Sequence, residues 1–148
     1  MRVVIQRVNH ASVQIDGQLF SSIQKGLLLL VGFTHGDTEK SCEKIANKIS
    51  TLRIFEDAEG KLNRSLIEVD GALLSVSQFT LYANCRKGRR PSFEAALLPE
   101  AASELYHYFN TCLTASGLSV RTGVFQADMK IELENDGPVT IILDSEQL

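Results

Sequence analysis

Tryptophan is absent from this sequence, and proline and cysteine occur only three times each. An odd number of cysteines (Cys42, Cys85 and Cys112) without CxxC spacing excludes a disulfide framework and a zinc knuckle, and makes the cytoplasm the expected address. No hydrophobic run is long enough to cross a bilayer. The most apolar stretch, Leu27 to Phe33, falls far short of the roughly 20 residues a spanning helix needs. The opening MRVVIQRV alternates and carries two arginines, so neither a signal peptide nor a membrane partner is expected. Basic charge is not in excess either. A net charge of −3 excludes a surface coated for wrapping nucleic acid but leaves room for a local basic patch. The short catalytic signatures GxSxG, GxGxxG, the Walker loop and HExxH are all missing. His10, His35 and His107 fall on an expected strand, loop and helix with no metal-site spacing, so neither a metal nor a cofactor is expected.

What is present is an ordinary globular composition, 44% hydrophobic and 22% charged, in a length that suits one domain spanning residues 1–148. Val3, Ile5, Val8, Ala11, Val13 and Ile15 alternate with a break between Arg7 and His10, which reads as strand, bulge or kink, and strand again. Asp16-Gly17 is a two-residue hairpin turn that sends Gln18 to Ser22 back antiparallel. After a turn at Lys25-Gly26, the run LLLLVGFT is apolar on both faces and reads as a central, covered strand. Asp37 or Thr38 caps a helix to about Leu52, with Ile45, Ile49 and Leu52 on one stripe.

A turn at Asp57 to Gly60 and a loosely patterned stretch lead to ALLSVSQFTL, Ala72 to Leu81, a strand dense in β-formers. Pro99 opens a second helix, with Ala102, Leu105, Phe109, Cys112 and Leu113 on one face, and Ser116-Gly117 ends it. Three short strands close the chain: Leu118 to Thr122, about Gln126 to Glu134, and Val139 to Asp144. A hairpin loop, Asn135-Asp136-Gly137-Pro138, parts the last two. The expected fold is α+β, a single domain of antiparallel-rich, sandwich- or barrel-like sheets with two helices covering one sheet.

Three segments invite chemistry. Ser77-Gln78-Phe79-Thr80-Leu81 puts hydroxyls and an amide at the end of an otherwise apolar strand, either because the strand enters solvent there or because it walls a pocket for a polar substrate. Asn135 to Thr140 gathers turn formers before Pro138, which has no N–H to give to a sheet. Arg86, Lys87, Arg89 and Arg90 crowd four of the fifteen Lys and Arg into five residues, as a solvated loop or as a phosphate-binding one.

At these residues the sequence resembles the D-aminoacyl-tRNA deacylase family over nearly its whole length. Both defining motifs are intact, SQFTL at Ser77 to Leu81 and the NxGPVT type at Asn135 to Thr140. Weaker matches accompany them in order: VIQRV from Val4, RIFEDAEGK from Arg53, RPSF from Arg90 and ADM from Ala127. The resemblance implies hydrolysis of the ester of D-aminoacyl-tRNA, with glycyl-tRNA as a further substrate, by a homodimer whose active sites lie at the subunit interface. It further implies a cis Gly137-Pro138 peptide that reaches into the partner's site, where its carbonyls bind the α-amino group and leave no room for an L side chain. This would be proofreading by rejection.

In the same reading Ser77, Gln78, Phe79 and Thr80 hold the ester and the terminal adenosine, and the Phe79 and Thr80 amides stabilise an oxyanion. Met129 packs on the adenine and Arg7 holds the Gly-Pro segment, while Arg86, Lys87, Arg89 and Arg90 meet the tRNA. Thr80 is the side-chain nucleophile candidate, but no His or Lys stands beside it in the motif, which favours positioning over covalent catalysis. The rival readings are a non-catalytic RNA-binding module that uses the basic loop and a conventional Thr or Ser hydrolase of small esters.

Overall fold

The computed structural model describes residues 1–148. Eight strands and two α-helices run in the order β1 (Arg2–Ile15), β2 (Gln18–Ile23), β3 (Gly26–Gly32), α1 (Glu39–Thr51), β4 (Arg53–Glu56), β5 (Leu62–Ser65), β6 (Ala72–Ser77), α2 (Pro99–Ala115), β7 (Ser119–Thr122) and β8 (Lys130–Asp144). The class is α+β, as expected. The main sheet is mixed: β1 pairs antiparallel with β2, β3 and β8, whereas β3–β6 and β6–β7 are parallel and are reached through crossovers that contain the helices.

β1 organises the molecule. It has two edges, and β8 lies along one of them from Arg2 to Gln14. The other edge is shared: β3 takes it up to Val8 and β2 takes it from Ala11. The handover falls at the break in alternation between Arg7 and His10. Asp16 and Gly17, with φ of 51° and 75°, make the tight turn into β2. Ser21 Oγ donates to the Thr122 carbonyl at 2.8 Å, tying β2 across to β7 and curling the sheet toward a barrel.

β3 is paired on both edges, by β1 and β6, and each of its faces packs into a core. Leu27, Leu29 and Val31 join the larger core under the helices, where Ile45, Ile49, Phe109 and Leu113 are completely buried. Leu28 faces a smaller core with Val8, Val13, Ile23, Leu74 and Val76 inside the curl. Truncating a side chain such as Phe109 to alanine should destabilise by about 3–5 kcal/mol. The helix boundaries match expectation. Thr38 caps α1 in a reciprocal arrangement with Ser41, and Pro99 opens α2. The loosely patterned stretch after α1 contains a small β4–β5 hairpin off the main sheet.

Candidate active site

The SQFTL segment does not continue as a strand. β6 stays in register with β3 only to Ser77, opposite Val31, and one more backbone bond, Gln78 N to the Val31 carbonyl at 2.7 Å, ends the ladder. The chain then winds into a single 3-10 turn, Phe79–Tyr82, so the strand expected to run to Leu81 ends at Ser77. Bonds from Leu81 N to the Gln78 carbonyl (3.3 Å) and from Ala83 N to the Thr80 carbonyl (3.0 Å) close the turn, while the Phe79 and Thr80 amides donate to no protein group. These are the first N–H groups of the turn, which have no acceptor within it. Gln78 Nε2 donates to Thr80 Oγ1 at 2.5 Å, and no His or Lys contacts the hydroxyl.

Two neighbours hold the turn in place. Gly32, at the end of β3, lets it approach, since a Cβ there would stand 2.9 Å from the Gln78 carbonyl oxygen and 3.1 Å from Leu81 Cβ. Arg2 Nη1 donates to the Leu81 carbonyl at 2.9 Å and the guanidinium lies 4.9 Å from the centre of the Tyr82 ring, while Nε and Nη2 grip Asp144 Oδ2 at 3.2 and 3.0 Å. Neither residue was singled out from sequence. For Gly32 the signal was available, as a lone glycine inside an apolar strand marks a close backbone approach.

Ser77, Gln78 and Phe79 line a cavity of about 670 Å³ together with Phe93, the segment Ala96 to Pro99 and the stretch Phe125 to Met129. That stretch is irregular: Gln126 has φ 63° and β8 begins only at Lys130, later than the expected strand start at Gln126. Met129 reaches the cavity across Gly123, where any Cβ would come within 2.5 Å of its sulfur. A more open groove of about 730 Å³ between α2 and β7 is lined largely by threonine, asparagine and valine. It contains none of the expected site residues, whereas the cavity of about 670 Å³ brings together Ser77, Gln78, Phe79 and Met129, with Thr80 outside its lining.

The Asn135 to Pro138 segment corrects a second expectation. It is not a hairpin loop between two strands but a bulge within the single long strand β8. Val8 pairs with Asn135 and Gln6 with Thr140, so Arg7 alone faces the residues from Asp136 to Val139. Arg7 is 4% exposed and fills the space the bulge leaves. Its Nε donates to the Asp136 carbonyl at 3.1 Å and sits 3.2 Å from Asp136 Oδ2, Nη1 donates to the Ile54 carbonyl at 2.8 Å, and Nη2 lies 3.7 Å from Glu56. The guanidinium fork thus links β1, β4 and the bulge, which a point charge could not do. Gly137-Pro138 is cis and both residues are exposed. Gly137 has φ +125°, open to glycine alone, and a Cβ would meet Val139 at 2.9 Å and Arg7 Nη2 at 3.1 Å. Neither Gly137 nor Pro138 lines the cavity of its own chain.

Paired backbone bonds between Asn84 and Ser92, at 2.8 and 3.0 Å, close the loop that carries Arg86, Lys87, Arg89 and Arg90. All four side chains are exposed and none pairs with a carboxylate. Cys42 and Cys112 stand apart from the cavity, and Cys85 is exposed in the basic loop. Cys42 is buried in α1, and burial, followed by the neighbouring Cys112 thiol and Asp37, pushes it up to about 12, far from a reactive thiolate.

A family model described as D-Tyr-tRNA(Tyr) deacylase matches residues 4–144. The D-aminoacyl-tRNA deacylase of Brevibacillus brevis is 58% identical over 145 residues, 98% of this chain and 100% of the relative. That of Thermus aquaticus is 54% identical over 147 residues, 99% of this chain and 97% of the relative. Among solved structures, the c-Myc DNA unwinding element binding protein superposes with a TM-score of 0.90 at 39% identity, covering 97% of this chain and 98% of its own.

Proposed function

We infer that this chain, which belongs to the D-Tyr-tRNA(Tyr) deacylase family, is a carboxylic ester hydrolase that releases the D-amino acid from D-aminoacyl-tRNA. The observation that carries the mechanism is the separation of the two motifs. Phe79, with its free amide, lines the cavity and the free Thr80 amide follows it in the turn, while the exposed Gly137-Pro138 bulge is absent from that cavity's walls. A projection that does not serve its own site is suited to a partner's, and we therefore read the active unit as a homodimer in which each bulge enters the other subunit's cavity.

In that arrangement the ester carbonyl lies against the Phe79 and Thr80 amides, which hydrogen-bond the oxyanion as water adds. The attack needs no protein nucleophile, because an aminoacyl ester is already reactive and the adjacent ribose 2′-hydroxyl can relay a proton. Ser77 and Gln78 shape the wall and Met129 packs on the adenine. The Gly137 and Pro138 carbonyls accept hydrogen bonds from the α-ammonium, and Arg7 holds them in place. The space they leave at the α-carbon admits a hydrogen and refuses an L side chain, so a D side chain points outward and glycine passes as a substrate. Arg86, Lys87, Arg89 and Arg90 meet tRNA phosphates. The cytoplasm, where charged tRNA is found, is the proposed address, and no helix is long and apolar enough to cross a membrane.

The test is hydrolysis of D-tyrosyl-tRNA beside L-tyrosyl-tRNA, with and without chelator. Release of the D-amino acid alone, unchanged by chelator, is expected. Equal release of both would remove the selection role of Gly137-Pro138, and release of neither would favour a non-catalytic RNA-binding module.

A further inference from the structure

The proposed chemistry uses the Phe79 amide but leaves its ring unexplained. Phe79 is 56% exposed, lines the cavity and packs in a T-shaped contact with Phe93, itself 38% exposed, with ring centroids 5.0 Å apart and planes at 68°. Neither phenylalanine belongs to the two buried cores of the fold. Their support is nonetheless firm. The segment bearing Phe93 is strapped to the end of β3 by Thr34 Oγ1 donating to the Ala95 carbonyl at 2.6 Å, the His35 ring Nε2 donating to the Glu94 carbonyl at 3.0 Å, and Leu97 N donating to the Phe33 carbonyl at 3.0 Å. The same segment continues directly from the basic loop, since the Asn84–Ser92 bridge that closes that loop ends one residue before Phe93.

Aromatic faces beside a run of unpaired cations are the combination that binds single-stranded nucleic acid, with rings stacking the bases and cations taking the phosphates. Resting on the deacylase reading above, we propose that Phe93, set by its edge contact with Phe79, is the stacking platform for the unpaired nucleotide that precedes the terminal adenosine of the tRNA. The basic loop next to it would neutralise the adjoining phosphates. The cavity would then read the aminoacyl ester and the ledge the strand leading to it, so the two can be separated with a shortened substrate.

The experiment compares wild type, Phe93→Leu and Phe93→Tyr on D-tyrosyl-tRNA and on D-tyrosyl-adenosine, which keeps the ester and the adenosine but lacks the preceding nucleotide. For Phe93→Leu, KM on the tRNA substrate should rise about tenfold with kcat nearly unchanged, the loss expected for one base stack. KM on D-tyrosyl-adenosine, whose cavity Phe93 also lines, should rise much less, so that most of the loss falls on the tRNA substrate, and Phe93→Tyr should restore tRNA binding. Equal loss on both substrates would overturn the proposal by confining the role of Phe93 to the ester site whose wall it forms, and so would no loss on either. A loss on tRNA accompanied by dissociation of the protein in sedimentation would overturn it as well, by assigning the ring to a subunit contact. Failure of the wild type on both substrates would instead overturn the deacylase reading itself.

Discussion

The two motifs expose main-chain groups in opposite ways. The SQFTL turn is an interrupted strand end backed by a sheet: Gln78 bonds to β3, Gly32 lets the backbones touch, and Arg2 holds the last carbonyl. The Gly137-Pro138 bulge is an interrupted strand middle whose shape depends on one side chain, the buried Arg7 guanidinium that occupies the place of the missing ladder bonds. The first is redundant and tolerant, whereas the second is a single support under an exposed projection. On the proposed function the division is apt. Oxyanion donors need fixed positions that many contacts can share, and a steric filter needs one surface placed so that a methyl group is refused.

The sharpest way to break this contrast is Gly137→Ala. A side chain at φ +125° is strained, and its Cβ would collide with Val139 and press on Arg7 Nη2. Turnover of D-tyrosyl-tRNA should fall by about 100-fold or more, as expected when a reacting group is displaced by about an ångström. Steady-state kinetics on both enantiomers provide the check. The displaced carbonyls should weaken the filter as well, so the ratio of D to L rates should shrink. A variant that kept wild-type rate and selectivity would remove the bulge from the site altogether.

Gly32→Ala probes the other side of the comparison and should do less. Its Cβ would press on the Gln78 carbonyl and shift the turn without touching the bulge. Partial displacement of the two amide donors should lower kcat about tenfold, below the cost of removing a donor outright, while L-tyrosyl-tRNA stays refused. If selectivity fell along with rate, the two motifs would be acting as one unit and the division drawn above would be wrong.

Much of this arrangement was legible in the residues and some was not, for physical reasons. The helices, the covered strand β3 and the break in β1 follow from periodicity, because each depends on which residues face a core. Both motif positions were visible as polar or turn-forming interruptions of apolar strands. Their shapes were not. Whether Asn135 to Pro138 forms a turn or a bulge depends on β1 running unbroken alongside, a pairing more than a hundred positions away in the chain. Arg7 looks like a surface charge in an alternating strand, and its burial depends on the carbonyls of Ile54 and Asp136 converging from two distant segments. SQFTL reads as strand because its residues favour β structure, yet the ladder ends when β3 reaches Gly32 and no partner remains. The parallel pairing of β3, β6 and β7 was likewise hidden, since it is a property of connections and not of any one segment.

The smallest expected effect belongs to the outermost support of the SQFTL turn. Burial pushes the Asp144 carboxyl up, but hydrogen bonds from the Glu146 amide and Arg2, and the Arg2 and α-amino charges, outweigh it and hold the group below the usual carboxylate range. A carboxylate depressed on folding contributes stability that is fully present above its unfolded pKa, near 3.9, and is lost as pH falls through the folded value. Asp144→Asn should therefore melt below wild type at neutral pH, and the gap should close as both are acidified through that window, measured by thermal unfolding across pH. Activity at neutral pH should fall no more than about threefold, because the pair is partly solvated and Arg2 keeps its bond to the Leu81 carbonyl. A melting gap that stayed constant into acid would mean that Asp144 acts by packing and not by charge. A large loss of activity would mean that the turn is as dependent on one contact as the bulge is on Arg7.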